Sequence, residues 1–295
     1  MDEYTVDALF SSVFTSSQRS FVPTELSGKP LLLRKVHSIL EYIEKCRIDS
    51  LGFKPAGEER YSDWEDGWAG GGIYDGCDQY QNLPYYFKNN THVRIGEAVY
   101  EDRLGFAEVD LLRGLQAIIF STYLPSFDAF NIIEYGCGTG SNISYLSKLF
   151  PRYEFYGADW AESAKRNIVK RGILPADRFR IVNYFEPATF SSPPSNFIAF
   201  TNASLEQTGE KYGAFMDYLE RNNNCRGGVH IEPMRELLDL SSLLNRQSFS
   251  YAESRRYLTD FSENMKKRDI NIFLAKDFGI GSRFISGYQV LVWGR

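Results

Sequence analysis

The residues best suited to chemistry lie in one short stretch, Ile132-Ile133-Glu134-Tyr135-Gly136-Cys137-Gly138-Thr139-Gly140. An apolar run feeds three alternate glycines, and Ser141-Asn142 then opens a helical pattern. Such a strand–turn–helix junction brings bare backbone and free helix N–H groups up to a ligand. Gly136 and Gly138 admit close approach, and Gly140 lets the helix start pack tightly. Glu134 is placed to orient an ammonium group. The spacing is neither the Gly-x-Gly-x-x-Gly of a nicotinamide-binding turn nor the Gly-Lys-Ser/Thr of a phosphate loop. A tight connection with no ligand would use the same glycines, so the turn alone decides nothing.

Asp159 narrows the choice. In Phe155-Tyr156-Gly157-Ala158-Asp159-Trp160 it ends the next strand, close to the spacing expected of an acid facing a ribose. Its carboxylate can accept hydrogen bonds from both ribose hydroxyls, and Trp160 can stack beside adenine. Asp159 is also placed to cap the helix that follows. Asn183 and Tyr184 close the third strand and face an adenine edge, unless Asn183 serves only its turn. Cys137 in the glycine turn and Thr201 at the end of the fourth strand complete the candidate nucleoside set.

Acid–base candidates are few, because the chain has only His37, His92 and His230. His230 stands in Gly228-Val229-His230-Ile231-Glu232-Pro233, at the carboxyl end of a fifth strand, the edge where open α/β sheets gather ligands. Imidazole titrates near neutrality and can take an alcohol proton. Glu232, two residues on, shares its face and can orient it. A locally satisfied, buried histidine and a helix-capping glutamate are the plainer reading of the same pair. Glu206 follows the fourth strand, where it can orient an acceptor hydroxyl, act as base, or join Glu232 at a divalent ion. Two glutamates do not make a metal site, and none is assigned. His37 sits in an apolar periodic pattern and reads as structural.

The elements that must position these groups change character near residue 130. Before it, a helix is expected from Pro30 to about Cys46, with Leu32, Val36, Ile39, Leu40 and Ile43 on its apolar face, and a second from Glu108 to Tyr123. Between them Gly67, Gly70, Gly71, Gly72 and Gly76 alternate with Trp64, Trp68, Tyr74, Tyr80, Tyr85 and Tyr86. That stretch suits a lid, with Trp64, Asp66 and Trp68 as a stacking surface, or a loop packed permanently on the helices. After residue 130, strands are expected at 131–135, 154–158, 179–183, 196–201 and 228–232, with helices at 141–150, 161–171 and 212–221. Two last strands, 270–276 and 287–293, leave no room for a crossover helix and should pair antiparallel. The expected division is 1–125 for a mainly helical lid or substrate region and 126–295 for the α/β domain.

Composition sets outer limits. A formal charge of -5 over 295 residues gives no electrostatic case for nucleic acid. The one dense basic run, Lys266-Lys267-Arg268, reads as the last turn of a helix. No apolar stretch is long enough to cross a bilayer, and acidic residues near Met1 suit no secretory signal, so a cytoplasmic location is expected. Four widely spaced cysteines read as reduced thiols.

Taken together, Glu134 to Gly140, Asp159 and the terminal strand pair resemble the class I, Rossmann-like methyltransferases that use S-adenosylmethionine (SAM). The likeness covers about residues 130 to 295. It implies a doubly wound, mostly parallel seven-stranded α/β sheet with a C-terminal antiparallel hairpin, SAM as cofactor, and a small-molecule acceptor. Three further stretches look like the putative sugar O-methyltransferases: Ala203-Ser204-Leu205-Glu206-Gln207, His230-Ile231-Glu232-Pro233, and Phe278 to Ser282 followed by Gly287-Tyr288 and Val292-Trp293. That narrower resemblance implies a sugar or glycoside hydroxyl as acceptor. Members of the family more often carry a histidine just before the Ala-Leu-Glu-Gln portion, where this chain has Thr201-Asn202. An amino sugar or other amine, and a SAM-binding module without turnover, are the alternatives. Oligomeric state is left open.

Overall fold

The computed structural model describes residues 2–69, 73–75, 80–89, 91–186, 189–190, 193–282 and 287–295. The expectations for Gly70, Gly71, Gly72, Gly76 and Cys77 fall outside them.

Strands are numbered along the chain. The first part holds β1 (Asp2–Thr5), β2 (Pro30–Lys35), β3 (Ile73–Asp75), β4 (Gln81–Pro84), β5 (His92–Ile95) and β6 (Ala98–Asp102). The second holds β7 (Asn131–Tyr135), β8 (Glu154–Asp159), β9 (Phe179–Ile181), β10 (Phe197–Asn202), β11 (Cys225–Glu232), β12 (Asn271–Asp277), β13 (Ile280–Ser282) and β14 (Gln289–Gly294).

β2 corrects one expectation. Leu31 and Leu33 are buried while Leu32 and Arg34 are exposed, a period of two. Three consecutive leucines satisfy either period, and antiparallel pairing with β1 on one side and β6 on the other makes this run a strand. The helix begins later, at Ile39, where the Ser38 hydroxyl accepts the Glu41 N–H, and it buries only Tyr42 and Cys46. The N-terminal part therefore carries, besides its helices, a five-stranded sheet in the order β1-β2-β6-β5-β13. Its last strand comes from residues 280–282, far along the chain.

The larger sheet has seven strands in the order β12-β14-β11-β10-β7-β8-β9. β7 to β11 run parallel, and β14 inserts antiparallel between β11 and β12. The expected α/β architecture and terminal antiparallel pair are both present. Side chains alternate between faces. Ile132, Ile198, Phe200, Val290 and Val292 join one core with the helix Ala107–Tyr123. Ile133, Ala199, Leu291 and Trp293 join the other with Phe215, Met216 and Phe261. The helix Ala107–Tyr123 is buried nearly all round, as a helix between two sheets must be. Asp102 starts it by accepting the Ala107 N–H at 2.7 Å. The run Lys266-Lys267-Arg268 does end a helix, and Arg268 pairs with Asp217 and Glu220. Among the described residues, no helix is long and apolar enough to cross a membrane, and Cys46, Cys137 and Cys225 are buried and form no disulfide.

Candidate active site

The carboxyl ends of β7, β8 and β10 meet beneath a cavity. Its floor is the glycine turn. The N–H groups of Gly136 and Cys137 both donate to the Ala158 carbonyl, at 2.7 and 3.1 Å, which pulls the turn against β8. Gly136 has φ of +72°, and a Cβ there would lie 2.3 Å from the Cβ of Ser204. No other residue fits that corner. Gly138 lies under the Trp68 ring, and Gly140 packs on Ile168 and Ile173 at the start of its helix.

Asp159 braces this turn. It is buried, its Oδ2 accepts the Gly138 N–H at 2.8 Å, and its Oδ1 accepts the Ala161 N–H at 2.9 Å. Burial lifts its pKa to about 6, while those donors pull the other way. Both oxygens keep a lone pair for a hydroxyl, and Asp159 faces the cavity. Trp160 also lines it, edge-on to Tyr61 and tilted against Phe185.

Glu134 is only 1% exposed. Its Oε1 accepts from Asn142 Nδ2 at 2.7 Å, and its Oε2 has no partner. Burial raises its pKa to about 8. Thr139 Oγ1 and Trp64 Nε1, both on cavity-lining residues, are likewise buried without partners. Cys137 lines the cavity with a thiol that burial pushes well up. Tyr184 lines it too, sharing a hydrogen bond of 3.2 Å with Ser204, whose hydroxyl donates to the Tyr135 carbonyl at 2.9 Å. Asn183 is spent on its turn: Oδ1 accepts the Phe185 N–H at 3.0 Å, and its own N–H donates to Thr189 at 2.8 Å. The cavity meets its neighbours Val182 and Phe185 instead.

The structure corrects the proposed base. His230 is fully buried and lines no part of the cavity. Trp293 Nε1 donates to its Nε2 at 3.0 Å, so Nδ1 carries the proton and donates to Thr201 Oγ1 at 2.9 Å. Burial holds its pKa down at about 3. Both ring nitrogens and Thr201 are thus committed inside the sheet, away from the nucleoside side. Glu232 is also fully buried and accepts the backbone N–H groups of Ser204, Leu205 and Glu206 at 3.1–3.2 Å. It caps the short helix Leu205–Thr208 and does not touch His230 as an orienting acid. Glu206 lies behind the cavity wall, with Oε1 accepting from Gln207 Nε2 at 2.9 Å. Burial and the adjacent Glu232 carboxylate raise its pKa well above the usual range. Its side chain does not line the cavity.

The N-terminal part supplies the opposite wall. Trp64, Trp68, Pro84, Tyr86 and Phe87 line the cavity, and the two tryptophans stack at 5.6 Å. Glu65 fastens their helix to the helix Glu162–Lys170 by accepting the Ser163 N–H at 3.0 Å and pairing with Arg166 at 2.8 Å. Arg60 reaches across to Gln207 Oε1 at 3.1 Å. Asp66 is exposed and outside the cavity lining. Sequence reasoning missed Ser204 as the neighbour of Gly136, and Asn142, Asn202 and Gln207 on the lining. Among the described residues, no group of three or more His, Cys, Asp or Glu could hold a metal ion.

With five parallel strands, an inserted antiparallel strand and a cavity over the first strand's turn, the architecture is decided. The fold is that of the class I methyltransferases. No family model matches the sequence, and no curated protein matches it. Methyltransferases are found among similar solved structures. One is the plantazolicin methyltransferase BpumL in complex with SAH, 17% identical over 60% of this chain and 81% of its own, at a TM-score of 0.41. Another is geranyl diphosphate C-methyltransferase from Streptomyces coelicolor A3(2), with Mg²⁺, geranyl diphosphate and S-adenosyl-L-homocysteine. It is 13% identical over 82% of this chain and 99% of its own, at 0.44. The methyltransferase domain of bacterial CtHen1 is 17% identical over 62% and 97%, at 0.43. At this distance the neighbours add nothing to the site, which stands on its own geometry.

Proposed function

We propose that the protein is a SAM-dependent methyltransferase acting on a small molecule, with a hydroxyl of a sugar or glycoside as the acceptor. One observation carries the cofactor: the buried, unpartnered Oε2 of Glu134 on the wall of a glycine-floored cavity. An unpaired carboxylate in such a place is costly, and a ligand ammonium would offset the cost. The rest of the lining fits the same ligand. Gly136 and Gly138 leave room for its thioether chain, Asp159 can accept from ribose hydroxyls, and Trp160, Val182, Tyr184 and Phe185 offer flat or apolar contacts to adenine.

Bound SAM supplies an electrophilic methyl group on a sulfonium. The chain's own contribution is alignment and exclusion of water. Residues 126–295 hold the cofactor, while residues 1–125 provide the acceptor wall of Trp64, Trp68, Tyr86 and Phe87. Aromatic faces of that kind stack on the apolar faces of sugar rings. Because His230, Glu232 and Glu206 are not bases facing the cavity, an amine acceptor is the second reading; once neutral, an amine needs no base.

The test is titration calorimetry with SAM and SAH, followed by a screen of sugars, glycosides and amines for a mass gain of about 14 Da. Binding of both ligands with methylation confined to hydroxyl acceptors is the expected result. Methylation of amines alone would select the second reading, and absence of SAM and SAH binding would end both.

A further inference from the structure

Gln116 lies midway along the helix Ala107–Tyr123, fully buried, and outside every motif read from the sequence. Its Nε2 donates to two asparagine carbonyls, Oδ1 of Asn142 at 3.0 Å and Oδ1 of Asn202 at 3.2 Å. A primary amide carries its oxygen and its amino group on opposite sides. Fixing both asparagine oxygens toward Gln116 therefore turns both amino groups away from it. Asn142 Nδ2 then meets Glu134 Oε1 at 2.7 Å. Asn202 lines the cavity, and its Nδ2 makes no hydrogen bond among the described residues. Were the Gln116 amide reversed, its oxygen would face two carbonyls. Both asparagines would have to turn, and Asn142 would aim an oxygen at the Glu134 carboxylate.

Three polar atoms of this network are left over. Glu134 Oε2 and Gln116 Oε1 are buried acceptors without partners, and Asn202 Nδ2 is a spare donor. An ammonium requires acceptors and a carboxylate requires donors. An α-amino acid group presents both on one carbon.

We infer that Gln116 is a positioning residue for the α-amino acid end of the cofactor, acting through Asn142 and Asn202 to fix which polar atoms that end meets. The inference rests on the SAM reading above and extends cofactor recognition from the glycine turn to a helix of the N-terminal part. A residue outside the motif thereby decides whether Glu134 offers a free oxygen.

The experiment compares SAH with 5′-methylthioadenosine, which keeps the adenosine and thioether but lacks the amino acid end. Both are titrated into the full chain by calorimetry. Gln116→Leu removes both donated bonds, and SAH affinity is expected to fall about tenfold or more while that of 5′-methylthioadenosine stays unchanged. Gln116→Glu is close in shape, and when ionised has no hydrogen to donate; the same selective loss is expected, which keeps the test alive should the leucine variant fail to fold. An equal loss for both ligands would mark a merely structural residue and overturn the inference, as would no loss for either. A parent protein that binds neither ligand would overturn the SAM reading itself, before Gln116 comes into question.

Discussion

Two polar clusters lie buried at the carboxyl edge of one sheet, and their hydrogen bonds differ. The polar atoms of His230 and Glu232 have protein partners, Trp293 on one ring nitrogen, Thr201 on the other, and three backbone N–H groups on Glu232, while Oε2 of the adjoining Glu206 is unpaired behind the cavity wall. Around Glu134 the network stops short, leaving Glu134 Oε2, Thr139 Oγ1 and Gln116 Oε1 unpaired. Buried polar groups in folded proteins are nearly always satisfied, so an unfinished network beside a cavity points to a missing ligand and a finished one to structure. Residue type and position on the strand were alike for both clusters. Unpaired atoms beside a cavity separate them.

The comparison predicts opposite consequences for substitution. Glu232→Ala should give the largest effect, leaving three buried N–H groups without their acceptor. A loss of about 3 kcal/mol or more in folding free energy is expected, read from urea unfolding. An unaltered unfolding curve would deny Glu232 its role as loop anchor. Gly136→Val attacks the other cluster. The new side chain meets Ser204 and must hold φ near +72°, so SAH affinity should drop about a hundredfold or more in a chain that keeps its circular dichroism spectrum. Glu134→Gln should be milder, weakening SAH about tenfold by calorimetry while leaving the unfolding midpoint level or raised, because the amide, unlike the acid, need not take up a proton to be buried at pH 7. Equal SAH affinity in that variant would remove the ammonium from this site.

Effects of pH have opposite signs at the two clusters. Glu134 is an acid whose pKa rises to about 8 in the folded, ligand-free chain. Its contribution to stability is full below its ordinary value of 4.5 and declines as pH climbs toward 8. His230 is a base whose pKa falls to about 3. It is neutral in both states above 6.5, and it costs stability as pH falls from 6.5 toward 3. On SAH binding at pH 7, Glu134 must shed a proton to meet the ammonium. Heats measured in two buffers of different ionisation enthalpy should reveal that release, and Glu134→Gln should abolish it.

Much of the larger sheet was legible because its strands are short apolar runs closed by turn residues. Asn131–Tyr135 was placed to the residue, and the glycine spacing and Asp159 led to the cavity floor. Elsewhere periodicity misled or said nothing. Leu31-Leu32-Leu33 fits a helix or a strand until its partners are known, and they come from both sides in space. The nine residues between Asp277 and Gly287 hide β13, whose pairing partner is almost 190 residues earlier in the chain. His230 was a reasonable base by type and edge position. What disqualifies it is Trp293, 63 residues away, and Thr201 in register on β10. Likewise nothing near Gly136 in the sequence announces Ser204 as its neighbour.

The placement of β13 has a consequence for how the chain is made. Ile280–Ser282 closes the edge of the N-terminal sheet against β5, and the Tyr288 hydroxyl reaches back to Glu108 at 2.5 Å. On the ribosome, the N-terminal five-stranded sheet must therefore wait, lacking its final strand, until residues 280–282 have emerged. Contacts so distant along the sequence slow folding. They also mean that the half facing the acceptor cannot be cut out and exchanged between proteins like a cassette, since its last strand would stay behind.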